Sequence, residues 1–205
     1  MNFSPTLHID GATLPVFPLA DFVLFPRVIA PLHIFEPRYR QMIEHSLDGQ
    51  GVFVMAISRR HQTLADGKPC FWGIGCACTI VDYEKELDGR YNILVEGITR
   101  VQIEEVESNE LYRQVSASVT DFKHDVISGS RDMQVRDIML RRLKELDNVP
   151  EDVVDQIEDL DLDMLLHLMA FHYPAGVDEK LKMLYTPDLD ELCNQVITAY
   201  ESLGI

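Results

Sequence analysis

Hydrophobic and polar positions change period near residue 120. Before it, apolar residues alternate with polar ones or form short continuous runs, which is the strand pattern; after it they recur every three or four residues, the helix pattern. Val52-Phe-Val-Met-Ala-Ile57 is a run rich in β-formers and predicts a strand buried on both faces. Residues 74–86 and 91–96 flank Asp88-Gly89, a dipeptide that tolerates the positive φ of a tight hairpin. Arg100–Glu104 and Val115–Val119 alternate and predict strands with one face inside, while Gly97 marks a bend or bulge in the series. Strands at this spacing suggest a small barrel or sandwich. One helix is expected early, with Pro37 in its first turn, Met42, Ile43 and Leu47 as its stripe and Gly49 at its end.

The second part predicts a helical bundle. Met133, Ile138, Met139, Leu143 and Leu146 fall near one face, and a further helix is expected from Pro150 with Val153, Val154, Ile157 and Leu160 inward. Leu162–Phe171 reads as a central helix stopped by Pro174. Thr186-Pro187 reads as the start of the last helix, which buries Leu189, Leu192, Val196, Ile197, Tyr200 and Leu203 before Gly204. The expected organisation is therefore α+β, with a β-rich part at 1–122, a bundle at 123–205 and a linker at about 121–130.

Charge narrows the function classes. The net charge of the 205 residues is −16. Residues 1–120 hold 10 Lys/Arg and 15 Asp/Glu, and residues 121–205 hold 8 and 19. This argues against a protein that grips a nucleic-acid backbone, since phosphate binding needs clustered Lys and Arg; only Arg38, Arg40, Arg59 and Arg60 form small basic groups. Nine acids and no base lie in 145–163, a solvated face that could steer a basic partner. The first ten residues lack a basic and apolar leader pattern, and no apolar run reaches the roughly 20 residues of a membrane span. A soluble cytoplasmic protein with reduced thiols and no membrane association is the expectation.

Known catalytic patterns are missing. There is no G-x-x-x-x-G-K-[ST] phosphate loop, no G-x-S-x-G elbow and no G-x-G-x-x-G. Cys70, Cys76 and Cys78 lack the paired knuckles of a zinc site, and Cys76 and Cys78 read as core residues on one strand face. His167 and His172 are five apart and cannot ligate together on a helix; Asp163 and His167, four apart, read as a surface ion pair. Asp159-Leu-Asp-Leu-Asp163 imitates a calcium loop but has Met164 where Gly is needed and Ala170 where Glu is needed. Nothing brings His33 together with Cys70 or Ser4 as a nucleophile pair. No metal, cofactor or catalytic residue is expected.

The feature that remains is residues 14–40, where five prolines break up an apolar string holding Phe17, Phe22, Phe25 and Phe35. Proline is excluded from central strands, so short edge pieces are expected. Each Phe singly reads as core filling, but their density in so bent a segment favours a lipophilic surface of fixed shape.

The string Leu14-Pro-Val-Phe-Pro-Leu19, Val23-Leu-Phe-Pro26, Pro31-Leu-His-Ile-Phe-Glu-Pro-Arg-Tyr-Arg40 closely resembles the opening of the N-terminal substrate-binding domain of Lon proteases. Gly73-Ile-Gly75 and Asp88-Gly-Arg-Tyr-Asn-Ile-Leu-Val-Glu-Gly97 resemble that family's middle signature. The resemblance covers residues 13–120 well and the helical tail more loosely. It implies a PUA-like β pseudobarrel followed by a helical bundle, and a recognition role toward exposed apolar and aromatic segments of client proteins. The ATPase and Ser-Lys peptidase of full Lon proteases have no counterpart here, so the chain resembles stand-alone Lon-domain proteins. The expectation is a non-enzymatic module binding unfolded polypeptides. Phe22, Leu24, Phe25 and Phe35 would supply apolar contact, and Arg27 and Arg38 would bond carboxylates or carbonyls, Arg38 otherwise pairing with Glu36. His33 and Tyr39 of the same string complete the set. The alternatives are RNA binding by analogy of fold, a hydrolase without a recognised motif, and an adaptor docking on a separate protease or chaperone through its acidic helical face.

Overall fold

Alternation and turn chemistry set the strands. The computed structural model describes residues 8–63, 69–120, 129–144, 157 and 159–203. The chain divides into two compact units, residues 1–120 and 121–205. The first contains β1 (Ala12–Leu19), β2 (Ile29–Ile34), α1 (Pro37–Asp48), β3 (Val52–Thr63), β4 (Pro69–Lys85), β5 (Tyr91–Val106) and β6 (Arg113–Val119). They form one mixed sheet in the order β2-β5-β4-β3-β1-β6, with β1 parallel to β3 and β6 pairing with β5 as well as β1. Five strands thus close a ring, and β2 lies outside it along β5.

β5 explains how one sheet serves both arrangements. Its residues 91–96 pair with β2 and its residues 101–106 pair with β6, while β4 runs along its other side. The exchange of partners needs a bend, and the β4–β5 register shifts at Gly97, as the sequence predicts. The β4–β5 hairpin turns through Asp88-Gly89, with Gly89 at φ 83°. Val16, Val54, Ala56, Ala77, Val101, Val115 and Ala117 fill the inside of the ring. The alternate β3 residues Phe53, Met55 and Ile57 are buried too, so β3 is covered on both faces as expected. α1 begins at Pro37 and buries Tyr39, Met42 and Ile43, with the Tyr39 and Phe17 rings 4.3 Å apart.

One expectation is corrected here. Pro15 and Pro18 sit in β1, which has a neighbour on each side, so this piece of the string is not an edge. The two neighbours overlap only at Val16: β6 pairs with residues 12–16 and β3 with residues 16–19. Each proline therefore lies where one side is unpaired and its missing N–H removes no ladder bond. Pro31, in β2, is on a true edge.

The second unit contains α2 (Gly129–Lys144), α3 (Leu162–His172), α4 (Val177–Tyr185) and α5 (Leu189–Ser202). The chain is α+β, with six strands and five helices among the described residues. Leu165, Leu166, Met169 and Ala170 of α3 are buried, and Tyr200 of α5 donates its hydroxyl proton to the Met169 carbonyl at 2.9 Å. Asp161 caps α3 by accepting from the Met164 N–H.

Several details differ from the periodicity reading. Met133 is exposed because α2 turns Val135, Ile138 and Met139 inward instead, and Leu203 is exposed because it follows the last turn of α5. α5 starts two residues later than expected, since Asp188 accepts from the Glu191 N–H and Thr186 instead donates back to the Lys182 carbonyl. His167 is buried, its Nδ1 3.5 Å from Oδ1 of the half-buried Asp163, so the histidine of this pair lies in the core and not on the surface. α4, with Gly176 as its cap, lacks a side-chain capping signal. Of the helix expected from Pro150, Ile157 is buried and residues 150–156 lie outside the described residues, as do 121–128 of the expected linker.

Candidate functional site

The Pro/Phe string is laid down by one tight turn. Phe25-Pro26-Arg27-Val28 closes with a Val28 N–H to Phe25 carbonyl bond of 3.3 Å, Pro26 in the second place and Arg27 in the third at φ 63°. This is a type II turn with arginine where glycine is usual. Gly97 holds it from both sides: the Arg27 N–H donates to the Gly97 carbonyl at 2.6 Å, and the Gly97 N–H donates to the Val28 carbonyl at 3.0 Å. The turn sends Leu24 and Phe25 inward and delivers the chain to β2.

β2 then alternates. Ala30 and Ile34 point into the unit, while Ile29, Pro31 and His33 are exposed, and Phe35 just beyond the strand is 61% exposed. The His33 and Phe35 rings stack with centroids 6.1 Å apart. His33 Nδ1 lies 2.7 Å from Asn92 Oδ1 and 4.0 Å from Glu86 Oε1. A cleft of about 400 Å³ opens here, lined by Pro31, Leu32 and His33 of β2, Asn92 to Leu94 of β5 and Asp82 to Glu84 of β4. A second cleft of about 620 Å³ lies between the start of α1 and the β5–β6 turn, with Arg38, Tyr39, Glu105 and Tyr112 among its walls. Its floor is braced by Arg113, which holds Glu105 through Nε at 2.6 Å and Nη2 at 2.5 Å.

The expected site residues divide into two sets. His33, Phe35, Arg27 and Arg38 are exposed and Phe22 is half-buried. Leu24, Phe25 and Tyr39 are not contact surface: they are 1%, 0% and 6% exposed, because the turn and the first turn of α1 direct them into the core. Burial pushes the Tyr39 hydroxyl above its ordinary pKa. Arg38 bonds Glu36 through Nε at 3.0 Å and lies over the Tyr39 ring at 4.5 Å, so the pairing expected for it is present. Ile29, Leu94, Tyr83, Asp82 and Glu84 belong to the same exposed neighbourhood but escape a reading of the string alone. The alternation Ile29-Ala-Pro-Leu-His33 and the register counted back from Asp88-Gly89 are the signals that place them.

Cys76 and Cys78 are fully buried; burial pushes the Cys76 thiol up to about 12 and the Cys78 thiol well above its ordinary value, the reverse of an activated nucleophile. Among the described residues no three His, Cys, Asp or Glu side chains gather around a position that could hold a metal ion. No helix among them is long and apolar enough to cross a membrane.

Comparisons with known proteins bear on both units. A family model described as the ATP-dependent protease La (LON) substrate-binding domain matches residues 13–199. The Lon protease of Azorhizobium caulinodans is 26% identical over 197 residues, which cover 93% of this chain and 22% of that protein. The Lon protease of Haemophilus influenzae is 26% identical over 199 residues, covering 93% of this chain and 24% of that protein. The chain thus spans about a quarter of the length of these relatives. Among solved structures, the N-terminal domain of Mycobacterium avium complex Lon protease matches with a TM-score of 0.70 at 16% identity, covering 93% of this chain and 98% of that one. The Lon N-terminal domain protein from Xanthomonas campestris matches with a TM-score of 0.65 at 19% identity, covering 91% and 98%. At these identities the structural likeness is one of fold. Because the family match runs from β1 into α5, the chain belongs to the LON substrate-binding domain family.

Proposed function

We propose that this protein is a non-enzymatic recognition module that binds apolar and aromatic segments of unfolded polypeptides along the outer face of β2. Family membership supports a substrate-recognition role, and the Phe35 ring, exposed and stacked on His33 beside the 400 Å³ cleft, carries the choice of surface. Large apolar side chains gathered on an otherwise acidic surface favour contact with another apolar segment. Ile29 and Leu94 extend the contact, with Phe22, Arg27 and Arg38 at its margins. Among the described side chains, three of the arginines that RNA binding would use are engaged within the chain: Arg38 with Glu36, Arg40 with the Asp88 carbonyl at 3.0 Å, and Arg59 over the Trp72 ring at 4.3 Å.

Burying an exposed Phe side chain is worth about 1.5–3 kcal/mol, so sealing the open part of Phe35 contributes about 1–2 kcal/mol to binding. Titration of the full chain with a reduced, alkylated and permanently unfolded protein tests this. Binding by the parent, with Phe35→Ala weakening it about ten-fold at unchanged stability, is the expected result. Absence of binding by the parent, or equal affinity for the variant, overturns the proposal.

A further inference from the structure

Three neighbouring strands set their outer side chains in register. Pro31 of β2 stands opposite Leu94 of β5, which stands opposite Asp82 of β4; in the next row His33, Asn92 and Glu84 stand together. Directly opposed residues share a face of a sheet. This face therefore runs from an apolar column on β2, where Ile29 and Phe35 are 56% and 61% exposed, across Leu94 to a carboxylate column on β4. Asp82 and Glu84 are both exposed. Strands lie about 4.8 Å apart, so two spacings put the carboxylates about 10 Å from the β2 column.

Nearby cations face other groups. Lys85 Nζ is 2.8 Å from Glu44 Oε1, and Arg90 Nε is 2.6 Å from Asp88 Oδ2. None of the residues lining the cleft is Lys or Arg. An apolar strip bordered on one side by such carboxylates is complementary to a segment that is apolar on one side and cationic on the other. It is hostile to an acidic segment, whose charges would meet Asp82 and Glu84 in an already anionic chain of net charge −16.

We infer that this face selects, among apolar polypeptide segments, those that also carry Lys or Arg, with Ile29, Phe35 and Leu94 taking the apolar side chains and Asp82 and Glu84 the cations. The inference rests on the polypeptide-binding reading and adds charge selectivity to it. Each exposed pair is weak and screened by salt, so two pairs amount to roughly a five-fold preference at low ionic strength.

The test uses the full chain and three labelled peptides of identical apolar content, with lysine, serine or glutamate at the variable positions, followed by fluorescence anisotropy at low and high salt. The lysine peptide should bind about five-fold tighter than the serine peptide, the glutamate peptide weaker than either, and the ratios should shrink toward one at high salt. The double variant Asp82→Asn, Glu84→Gln should bring the lysine and serine peptides to the same Kd. Equal binding of all three peptides, or a lysine preference that survives the double variant, overturns the selectivity and leaves polypeptide binding standing. Failure of all three to bind overturns the underlying reading as well.

Discussion

Replacing Gly97 with alanine puts a methyl group where the chain has no room. A Cβ built there lies 2.1 Å from the Phe25 carbonyl oxygen, 2.9 Å from the Phe25 carbonyl carbon and 3.1 Å from Cys76 Sγ. Ordinary contact begins near 3.4 Å, so the backbone of the Phe25–Val28 turn must retreat by about 1.3 Å. That retreat breaks the two backbone bonds joining the turn to the β5 bend, at 2.6 and 3.0 Å. Losing them costs about 1 kcal/mol each, and overpacking a tight core adds about 1–3 kcal/mol. The expected loss is about 4 kcal/mol, a large share of the roughly 5–15 kcal/mol that holds a typical domain. Trp72, the single tryptophan, sits in β4 and reports the first unit alone, so its fluorescence during urea unfolding is the assay. Gly73→Ala in the same strand is the control, because its Cβ meets nothing closer than the Ile103 carbonyl at 3.9 Å. A loss below 1 kcal/mol for Gly97→Ala, or equal losses for the two variants, refutes the idea that this contact sets the turn.

Other consequences separate core from surface. Phe25→Ala removes a fully buried ring and should lower stability by about 3–5 kcal/mol in the same urea assay, whereas Phe35→Ala should change it by less than about 0.5 kcal/mol. Asp188→Ala removes the cap of α5 and should cost about 1 kcal/mol, read by thermal unfolding followed by circular dichroism. In the native protein a thiol reagent should modify Cys70 and spare Cys76, Cys78 and Cys193, all four reacting after denaturation. The hydrogen bonds from Lys85 and Tyr91 hold the Glu44 carboxyl below its ordinary pKa. Its contribution is therefore present above the unfolded carboxylate value of about 4.3 and is lost as pH falls through the lower folded value. Glu44→Gln should flatten the pH dependence of the urea midpoint in that acid range.

Legibility followed the range of the determining interaction. The Asp88-Gly89 hairpin and the Pro37 start of α1 depend on neighbours in the chain, and local pattern shows them; the Gly97 bend and the doubly covered Val52–Ile57 run leave a local trace although distant segments determine them. The place of Pro15 and Pro18 depends on where two distant strands stop overlapping, which no local pattern records. The same holds for the string's aromatics: Phe25 and Phe35 lie in one apolar string, yet the turn pinned by Gly97 seals the first ring while the second stands open just beyond β2. Asp188 and Thr186 both carry capping chemistry, and in the fold Asp188 accepts from the Glu191 N–H while the Thr186 hydroxyl donates to the Lys182 carbonyl, a division that local pattern does not record. The carboxylates of Asp82 and Glu84 read as ordinary surface charge until the register sets them beside Leu94 and Asn92.

Ring closure has its own consequence for how this polypeptide comes into being. β6 joins β1 with Ala117 beside Ala12, 105 positions apart, and the Val119 N–H ties the seam to Asp10 at 2.9 Å. Bringing such remote partners together carries about 4 kcal/mol of chain entropy beyond a constant. A ribosome delivers β1 early and β6 late, so the nascent strands wait with bare flanks on β1 and on the far half of β5. During that interval the half-made unit is itself a sticky, unfolded client of the kind it is proposed to recognise.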